Sequence, residues 1–296
     1  MNYTKWLDKN TEGLKGKTIA VTGSTGGIGR ELCTFLAALG ADLILVDRNP
    51  KLSAEHKNSL TERFPEIKVD SIRLDLEDIC AADEAASKLR GIDVFIHNAG
   101  AYSIPRHKCT TGYGNVFQIN FATPYYMIKK LLPSLREHRG KVVVVGSIAH
   151  NYSKTDEGDV DFETRSAASK VYGNAKRFLM FALYELFKNE KDVTLSVCHP
   201  GITFTNITAH YPKLIFAVIK HPMKVIFMKP KTAALSILKG VFDTTPHSMW
   251  IGPKLFDVWG LPNKKALKTC SAEEVKKISS MAEEVFVRCE STVENR

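Results

Sequence analysis

A glycine-rich turn lies near the N-terminus, between a short β-branched run and a segment with apolar residues at helical spacing. The run covers residues 17–22, and the turn that follows reads Gly23-Ser24-Thr25-Gly26-Gly27-Ile28-Gly29. Glycines let a backbone bend sharply and approach a phosphate closely, and the next helix directs free N–H groups at that phosphate. A strand, a glycine turn and a helix in this order predict an α/β fold that holds a dinucleotide.

The spacing of the turn differs from the usual dinucleotide fingerprint. That fingerprint is G-x-G-x-x-G, whereas the glycines here fall as G-x-x-x-G-x-G. The placement between strand and helix still favours a pyrophosphate site. The predicted cofactor contacts in the turn are Gly23, Ser24, Thr25, Gly27, Ile28 and Gly29.

Strand-like and helix-like segments alternate along the rest of the chain. Strands are predicted at residues 17–22, 42–46, 67–74, 93–96, 141–145, 194–198 and 250–251. Helices are predicted at residues 29–39, 81–89, 123–135 and 169–187. The alternation predicts a Rossmann-like, doubly wound parallel sheet of about seven strands with helices on both faces. We expect residues 1–296 to form a single domain, with an irregular segment at 202–229 and a C-terminal helix at 271–288.

Composition excludes several other classes of protein. The 296 residues can bury a core without disulfides or a metal, and the six cysteines are scattered, which favours reduced thiols in the cytoplasm and no metal site. Residues 1–17 have no continuous apolar run, so we do not expect them to be a signal peptide, and no run approaches the ~18 apolar residues of a membrane span. The net charge of +9 comes without a nucleic-acid-binding motif, so a solvated basic surface is expected, with peripheral contact to an anionic lipid surface left open.

The end of the second strand bears on the choice of cofactor. Asp47 closes this strand, where an acid can accept hydrogen bonds from the adenosine ribose and disfavours a 2′-phosphate. Arg48 follows directly and could pair with that phosphate instead. The sequence therefore favours NAD over NADP and leaves NADP open.

Two polar residues four positions apart begin a predicted helix. Tyr172 and Lys176 project from one face of it. A free phenol has a pKa near ~10, and a nearby ammonium lowers that pKa towards the range useful for acid/base catalysis. Ser147 follows the strand at 141–145, at the sheet edge where α/β proteins bind ligands. Each feature alone is equally consistent with a surface pair or a turn serine.

Further short motifs occur in order along the chain at the spacing of one known family. They are Gly23-x-x-x-Gly27-x-Gly29, Asp75-Leu76, His97-Asn98-Ala99-Gly100, Asn120, Ser147, Tyr172 with Lys176, and His199-Pro200-Gly201. On these residues the chain resembles the compact, single-domain branch of the short-chain dehydrogenase/reductase family, over about residues 15–205. His97 departs from the pattern, because relatives carry an asparagine there.

The resemblance implies hydride transfer between nicotinamide and a carbonyl or carbinol carbon. Tyr172 would exchange the proton of the substrate oxygen and Ser147 would hold that oxygen. Lys176 would lower the pKa of the phenol and bind the nicotinamide ribose. Asn120 would position a water that links Lys176 to solvent.

The resemblance also implies further cofactor contacts and a homodimer. The dimer would form through the helices at residues 123–135 and 169–187. The additional cofactor contacts are Asp75, Leu76, Asn98, Ala99, Gly100, Tyr172, Lys176, Pro200, Gly201, Thr203 and Thr205.

Within the family, the chain is most similar to retinol-dehydrogenase-like and hydroxysteroid-dehydrogenase-like members of lipid metabolism. Residues 202–229 lie where relatives carry a substrate lid, and their apolar side chains predict a lipophilic alcohol or ketone, such as a sterol, a bile acid or a retinoid. The same side chains could instead pack on the protein body or on a partner subunit. Two other functions stay open, a dinucleotide-binding sensor or scaffold without turnover and a membrane-surface protein.

Overall fold

The computed structural model describes residues 3–202, 228–267 and 271–296. Within them one sheet of eight strands runs in the order β3-β2-β1-β4-β5-β6-β7-β8. The strands are β1 Thr18–Thr22, β2 Asp42–Asp47, β3 Val69–Arg73, β4 Val94–His97, β5 Lys141–Val145, β6 Thr194–Cys198, β7 Met249–Leu255 and β8 Trp259–Ala266.

Helices cover both faces of the sheet. Next to them, Gln118–Ala122 is a π-helical turn and Ile148–Tyr152 is a 3-10 helix. The helices are α1 Tyr3–Asn10, α2 Gly27–Ala38, α3 Pro50–Arg63, α4 Ile79–Lys88, α5 Asn115–Phe117, α6 Thr123–Glu137, α7 Ala168–Leu186, α8 Pro230–Phe242 and α9 Ala272–Glu294.

The Rossmann-like α/β fold predicted from the sequence is confirmed. β1 to β7 are parallel, as the alternating strands and helices predict, and the ranges predicted at 141–145 and 194–198 coincide with β5 and β6. The sheet has eight strands rather than about seven, because β8 returns antiparallel to β7. Its sequence, WGLPNKKA, lacks the apolar run by which the other strands are recognised.

Two apolar layers sandwich the sheet. On one face α4, α6, α7 and α9 share a core that includes Phe121, Phe178 and Ile278. On the other face α1, α2, α3 and α8 pack with Leu36 and Leu238. Because β1 has β2 on one side and β4 on the other, the connections after β1 and β4 diverge, and a crevice opens at their carboxyl ends.

The C-terminal helix α9 begins after the cap residue Ser271, as predicted, and runs past the predicted end at residue 288 to Glu294. The serine hydroxyl accepts a hydrogen bond from the N–H of Glu274 at 3.1 Å. The proposed lid at residues 202–229 lies outside the described residues, except for Ile202, Met228 and Lys229.

Candidate active site

The glycine turn has the close contacts that only glycine permits. Gly23 has φ 68°, and a Cβ there would lie 2.9 Å from the Cα of Ala99. A Cβ on Gly29 would lie 2.2 Å from the carbonyl oxygen of Gly23. Gly26 precedes α2 and offers no side chain to cap it, so the first N–H groups of the helix stay available to an anion. The turn therefore fits a pyrophosphate.

The motif after β4 fastens the turn to the sheet. The amide of Asn98 donates to the carbonyl oxygens of Thr22 and Gly23, both at 3.1 Å. The hydroxyl of Thr22 accepts from the N–H groups of Asn98 and Ala99, so its own proton goes to Nδ1 of His97 at 3.1 Å. His97 thus takes over strand-end hydrogen bonding, and its burial, followed by the charge of Lys176, holds its pKa well below the usual range, which keeps it neutral.

Asp47 lies at the predicted position but is turned towards the protein. Its carboxylate accepts from the Ser24 hydroxyl at 2.5 Å, from the N–H and hydroxyl of Thr25 at 3.0 Å each, and from the Ser53 hydroxyl at 3.2 Å. Four donors occupy about all the acceptor sites of a carboxylate. Arg48, in contrast, is exposed and lines the cleft.

A cleft of about 510 Å³ joins these elements. Asn120 from the π-helical turn and Lys176 from α7 lie next to Gly100, which lines the cleft. Ser24 is buried behind the cleft through its bond to Asp47, and Pro200 and Gly201 are buried after β6. Thr203 and Thr205 lie outside the described residues. The predicted residues that line the cleft are Gly23, Thr25, Gly27, Ile28, Gly29, Asp47, Arg48, Asp75, Leu76, Asn98, Ala99 and Gly100.

Asn120 lies in the π-helical turn, fully buried. Its amide donates to the carbonyl oxygens of Ala101 and Val116, both at 2.8 Å, and its Oδ1 accepts from the N–H of Ala101 at 3.3 Å. A Cβ on Gly100 would lie 2.8 Å from that Oδ1 and 3.6 Å from Nζ of Lys176. The widened turn, a distortion often found at functional sites, thus brings Asn120 and Lys176 to the same glycine.

Ser147, Tyr172 and Lys176 converge at the end of β5. The Ser147 hydroxyl lies close enough to the phenol of Tyr172 to lower the pKa of the phenol. Nζ of Lys176 lies 5.7 Å from the centroid of the Tyr172 ring and donates to the carbonyl oxygen of Val145 at 2.8 Å. The structure therefore brings together the four residues that the sequence placed at 120, 147, 172 and 176.

The electrostatics of the protein alone differ from the expectation that Lys176 lowers the pKa of the phenol. Burial raises the pKa of Tyr172 to about 12, an effect that the hydrogen bond from Ser147 partly offsets. Burial also lowers the pKa of Lys176 to about 7, so the lysine is only partly charged at neutral pH. Desolvation is the largest cause of both shifts, because burial disfavours the charged form of each group.

Sequence reasoning missed the residues that surround Tyr172. The ring of Tyr102 packs edge-on against that of Tyr172, with centroids 5.3 Å apart. Val116, Phe162 and Val171 form a buried apolar cluster against which Ile104 and Tyr172 pack. These residues come from segments far apart in the chain and share no motif, so only the fold reveals this apolar wall.

A second group of polar side chains lies outside this cleft. One ligand atom each of Glu77, His107 and Cys109 lies within 4.8 Å of the others. The amide of Asn115 donates to Nδ1 of His107 at 3.2 Å and is itself held by the carbonyl oxygen of Pro105. The His107 proton is therefore on Nε2, where it donates to Glu77 at 2.8 Å. The group is explained as a hydrogen-bonded pair beside a thiol whose pKa burial raises to about 12.

The profile of the short chain dehydrogenase family matches residues 17–213, a range that runs from the first strand past the His199-Pro200-Gly201 turn. The chain belongs to this family, as its motifs indicate. The chain is therefore an oxidoreductase of this family with a site for a nicotinamide dinucleotide.

Curated relatives are 26% to 29% identical to this chain over about two thirds of its length. A chloroplastic short-chain dehydrogenase, TIC 32 A from Brassica napus, is 29% identical over 213 residues, which cover 66% of this chain and 67% of that protein. Human retinol dehydrogenase 13 is 28% identical over 67% of this chain and 62% of its own length. Human polyprenol dehydrogenase is 26% identical over 64% and 62%.

Solved structures share the fold. A protein from Mycobacterium paratuberculosis superimposes with a TM-score of 0.73 at 20% identity, covering 96% of this chain and 95% of that one. The Pseudomonas aeruginosa RhlG complex with NADP superimposes with a TM-score of 0.58 at 24% identity, covering 78% and 93%. Among the residues described here, none of the helices combines the length and the apolar character needed to cross a membrane.

Proposed function

We propose that this chain interconverts a hydroxyl and a carbonyl on a lipophilic alcohol or ketone, with NAD or NADP as cofactor. The convergence of Asn120, Ser147, Tyr172 and Lys176 behind Gly100, a residue that lines the cofactor cleft, carries the proposal. The dinucleotide supplies the hydride acceptor or donor. Everything else in the reaction falls to side chains of the chain itself.

The Tyr172 phenol is the group that gives or takes the proton of the substrate oxygen. Ser147 binds the same oxygen, because its hydroxyl already lies within hydrogen-bond reach of the phenol. Lys176 holds a mobile proton near neutral pH, since its pKa is about 7, and it lies next to Asn120 across Gly100. Together they form a route by which the proton of the phenol exchanges with solvent.

The apolar wall beside Tyr172 supports a lipophilic substrate. Val116, Phe162 and Val171 pack with Ile104 against the tyrosine, so the surroundings of the phenol are apolar. The relatives named for retinol and polyprenol are consistent with this class. Sterols, bile acids and retinoids are therefore the first substrates to test.

The decisive experiment is a screen of alcohols and ketones with NAD and NADP side by side, following absorbance of the reduced nicotinamide. We expect turnover of sterol-like or retinoid-like compounds, and loss of about 10³-fold or more in kcat for Tyr172→Phe with unchanged dinucleotide affinity, because general acid/base catalysis is removed. Near-full turnover by Tyr172→Phe would exclude the mechanism. Good oxidation of small polyols without any activity on sterol-like alcohols would exclude the substrate class.

The preference for NAD expected from Asp47 needs revision, since it assumed a carboxylate open to the ribose. Four protein donors occupy that carboxylate, whereas Arg48 is exposed at the cleft. We propose that both dinucleotides bind and that Arg48 favours NADP. Arg48→Gln should weaken NADP binding about 10-fold in a fluorescence titration and leave NAD unchanged, because one charge-assisted bond is lost. Equal effects on both cofactors would refute this assignment.

A cytoplasmic location and a homodimer are two further parts of the proposal. The five cysteines in the described part of the chain are free thiols, consistent with a reducing compartment. The expected dimer interface consists of α6 and α7. Because α9 packs on both of these helices, such an interface would have to accommodate α9. Light scattering after size-exclusion chromatography measures the mass directly, and a monomer at micromolar concentration would contradict the dimer.

A further inference from the structure

The segment after β5 carries Ser147 and has to be held in register with Tyr172 on α7. Two contacts clamp it there. A Cβ on Gly173 would lie 2.3 Å from the carbonyl oxygen of Ala149, so the 3-10 helix lies directly on the α7 backbone. The Ser153 hydroxyl donates to the carbonyl oxygen of Lys170 at 2.9 Å. These contacts set the spacing but leave the backbone at Ser147 itself to other groups.

His150 holds the backbone of Ser147. Its Nδ1 lies 2.5 Å from the Ser147 carbonyl oxygen, and its own N–H donates to the same oxygen at 3.2 Å. The imidazole is fully buried, edge-on to the rings of Phe181 and Trp250. Burial lowers the pKa of His150, so the ring is neutral and uses its Nδ1 proton for this bond. The orientation of Ser147 therefore depends on the position of His150.

Arg177 holds His150 from the opposite side. Its Nη1 donates to the carbonyl oxygen of His150 at 3.1 Å. The guanidinium side chain is only 4% exposed and pairs with Glu274, Nε at 2.8 Å and Nη2 at 2.7 Å from the same carboxylate oxygen. Thr155 donates to that oxygen at 2.7 Å. A buried guanidinium depends on its carboxylate, because an unpaired charge in this place is costly.

Glu274 comes from the first turn of α9, far away in sequence from the other members. We propose that Glu274 and Arg177 are positioning residues, through which the C-terminal helix holds His150 and thereby the backbone of Ser147 in the geometry needed for catalysis. The inference rests on the proposed oxidoreductase function. It makes α9 a part of the structure that supports the site.

A purely structural role for Glu274 is the alternative, and the chain offers a matched control. Glu283 lies on the same helix and accepts hydrogen bonds from Tyr125, at 2.6 Å, and from Lys129 on α6. It is coupled to the helix–body interface as Glu274 is, but not to His150 or Ser147. Glu274→Gln and Glu283→Gln therefore each remove one negative charge from α9. Only Glu274→Gln removes the partner of Arg177, which holds the segment that carries Ser147.

The first measurement compares steady-state kinetics of the two variants, using a substrate found in the screen. We expect Glu274→Gln to lower kcat about 10- to 100-fold, because small misplacements of reacting groups cost this much. The KM and the dinucleotide Kd should stay within about 2-fold of wild type, whereas Glu283→Gln should leave kcat within about 2-fold. Glu274→Asp, which keeps the charge, should recover part of the lost kcat. Equal losses of kcat in Glu274→Gln and Glu283→Gln would overturn the proposal.

The second measurement does not depend on turnover. Hydrogen exchange of the peptide that covers residues 147–152 should become about 10-fold faster in Glu274→Gln and stay unchanged in Glu283→Gln, since local opening follows the loss of local contacts. Unchanged exchange in Glu274→Gln would refute the proposal even if the enzyme were active. Faster exchange in a protein that turns over no substrate would place the failure in the proposed function alone.

Discussion

The cofactor cleft and the support of the serine segment are built in different ways. The shape of the cleft depends mainly on the backbone. Gly23 and Gly29 allow neighbouring backbone segments to approach closely, and the side chain of Asn98 links the ends of β1 and β4. The serine segment, in contrast, is supported by side chains from distant parts of the sequence, such as Arg177 and Glu274. Backbone-built regions tolerate few residue types, whereas regions built from side chains admit many pairs. The first kind can therefore be recognised from sequence and the second cannot.

The largest expected effect is in the cleft, for Gly29→Ala. A Cβ placed 2.2 Å from the Gly23 carbonyl oxygen forces the turn to shift, which should cost about 3 kcal/mol of unfolding free energy and abolish measurable dinucleotide binding. Urea denaturation and fluorescence titration measure the two quantities. Gly13→Ala is the control, since a Cβ there meets nothing within 4 Å. Normal cofactor binding by Gly29→Ala would show that backbone approach does not define the cleft.

The next effect concerns Lys176 and its dependence on pH. The pKa of Lys176 falls from its ordinary 10.5 to about 7 on folding, so the unfolded chain binds more protons between these values and stability rises with pH across that window. Lys176→Met lacks this dependence. Below pH 7 it should be more stable than wild type by on the order of a few kcal/mol, at about 1.4 kcal/mol per pKa unit, and the gain should shrink towards pH 10.

Thermal unfolding of wild type and Lys176→Met between pH 6 and pH 10 tests this prediction. The variant should be inactive although it is more stable. This result would show that burying Lys176 in the catalytic centre lowers the free energy of unfolding. Parallel stability curves for the two proteins would mean that burial of the ammonium has no such cost.

A smaller effect is expected after β6, at Gly201. This residue has φ 82°, and a Cβ would lie 2.8 Å from both the Met228 sulfur and the Val258 carbonyl oxygen. Gly201→Ala should therefore lower the unfolding free energy by about 1 to 2 kcal/mol. Gly158→Ala, whose Cβ would meet its nearest neighbour at 3.5 Å, should change it by less than about 0.5 kcal/mol. Identical denaturation midpoints in the two variants would contradict the close approach described here.

The smallest effect is expected at the tip of the β7–β8 hairpin. Phe256 is 87% exposed and has φ 53°, a conformation that asparagine adopts more readily than phenylalanine. Phe256→Asn should leave stability unchanged or raise it by about 0.5 kcal/mol or less. A loss above 1 kcal/mol, measured by chemical denaturation, would reveal packing that the exposed ring does not show.

The sequence predicted β1 to β7 and the helices α2, α4, α6, α7 and α9, most of them from apolar periodicity, which is a local property. It also placed Ser147 and Tyr172 by motif. It missed β8, whose residues lack an apolar run, and α3, which begins at Pro50 after the cap Asn49 and is weakly amphipathic. The carboxylate of Asp47 was expected to be free to bind the ribose. No local sequence pattern indicates that hydroxyl groups of the glycine turn donate hydrogen bonds to it.

A lowered pKa was also expected for the phenol of Tyr172. That expectation treated Lys176 as fully charged beside Tyr172, whereas burial lowers the pKa of the lysine itself to about 7. The cost of desolvating a charge depends on everything packed around it, which a spacing of four residues cannot report. The pKa of a buried group therefore becomes predictable only once the fold is known.

The last strand has a consequence for how copies of this protein meet each other. β8 forms one edge of the sheet, where unpaired backbone groups would invite a neighbouring sheet to add on. Pro262 has no N–H to offer, and Lys264 and Lys265 place charges along the same strand. The strand thus protects the sheet from edge-to-edge aggregation, a form of self-association that a concentrated protein with eight paired strands has to avoid.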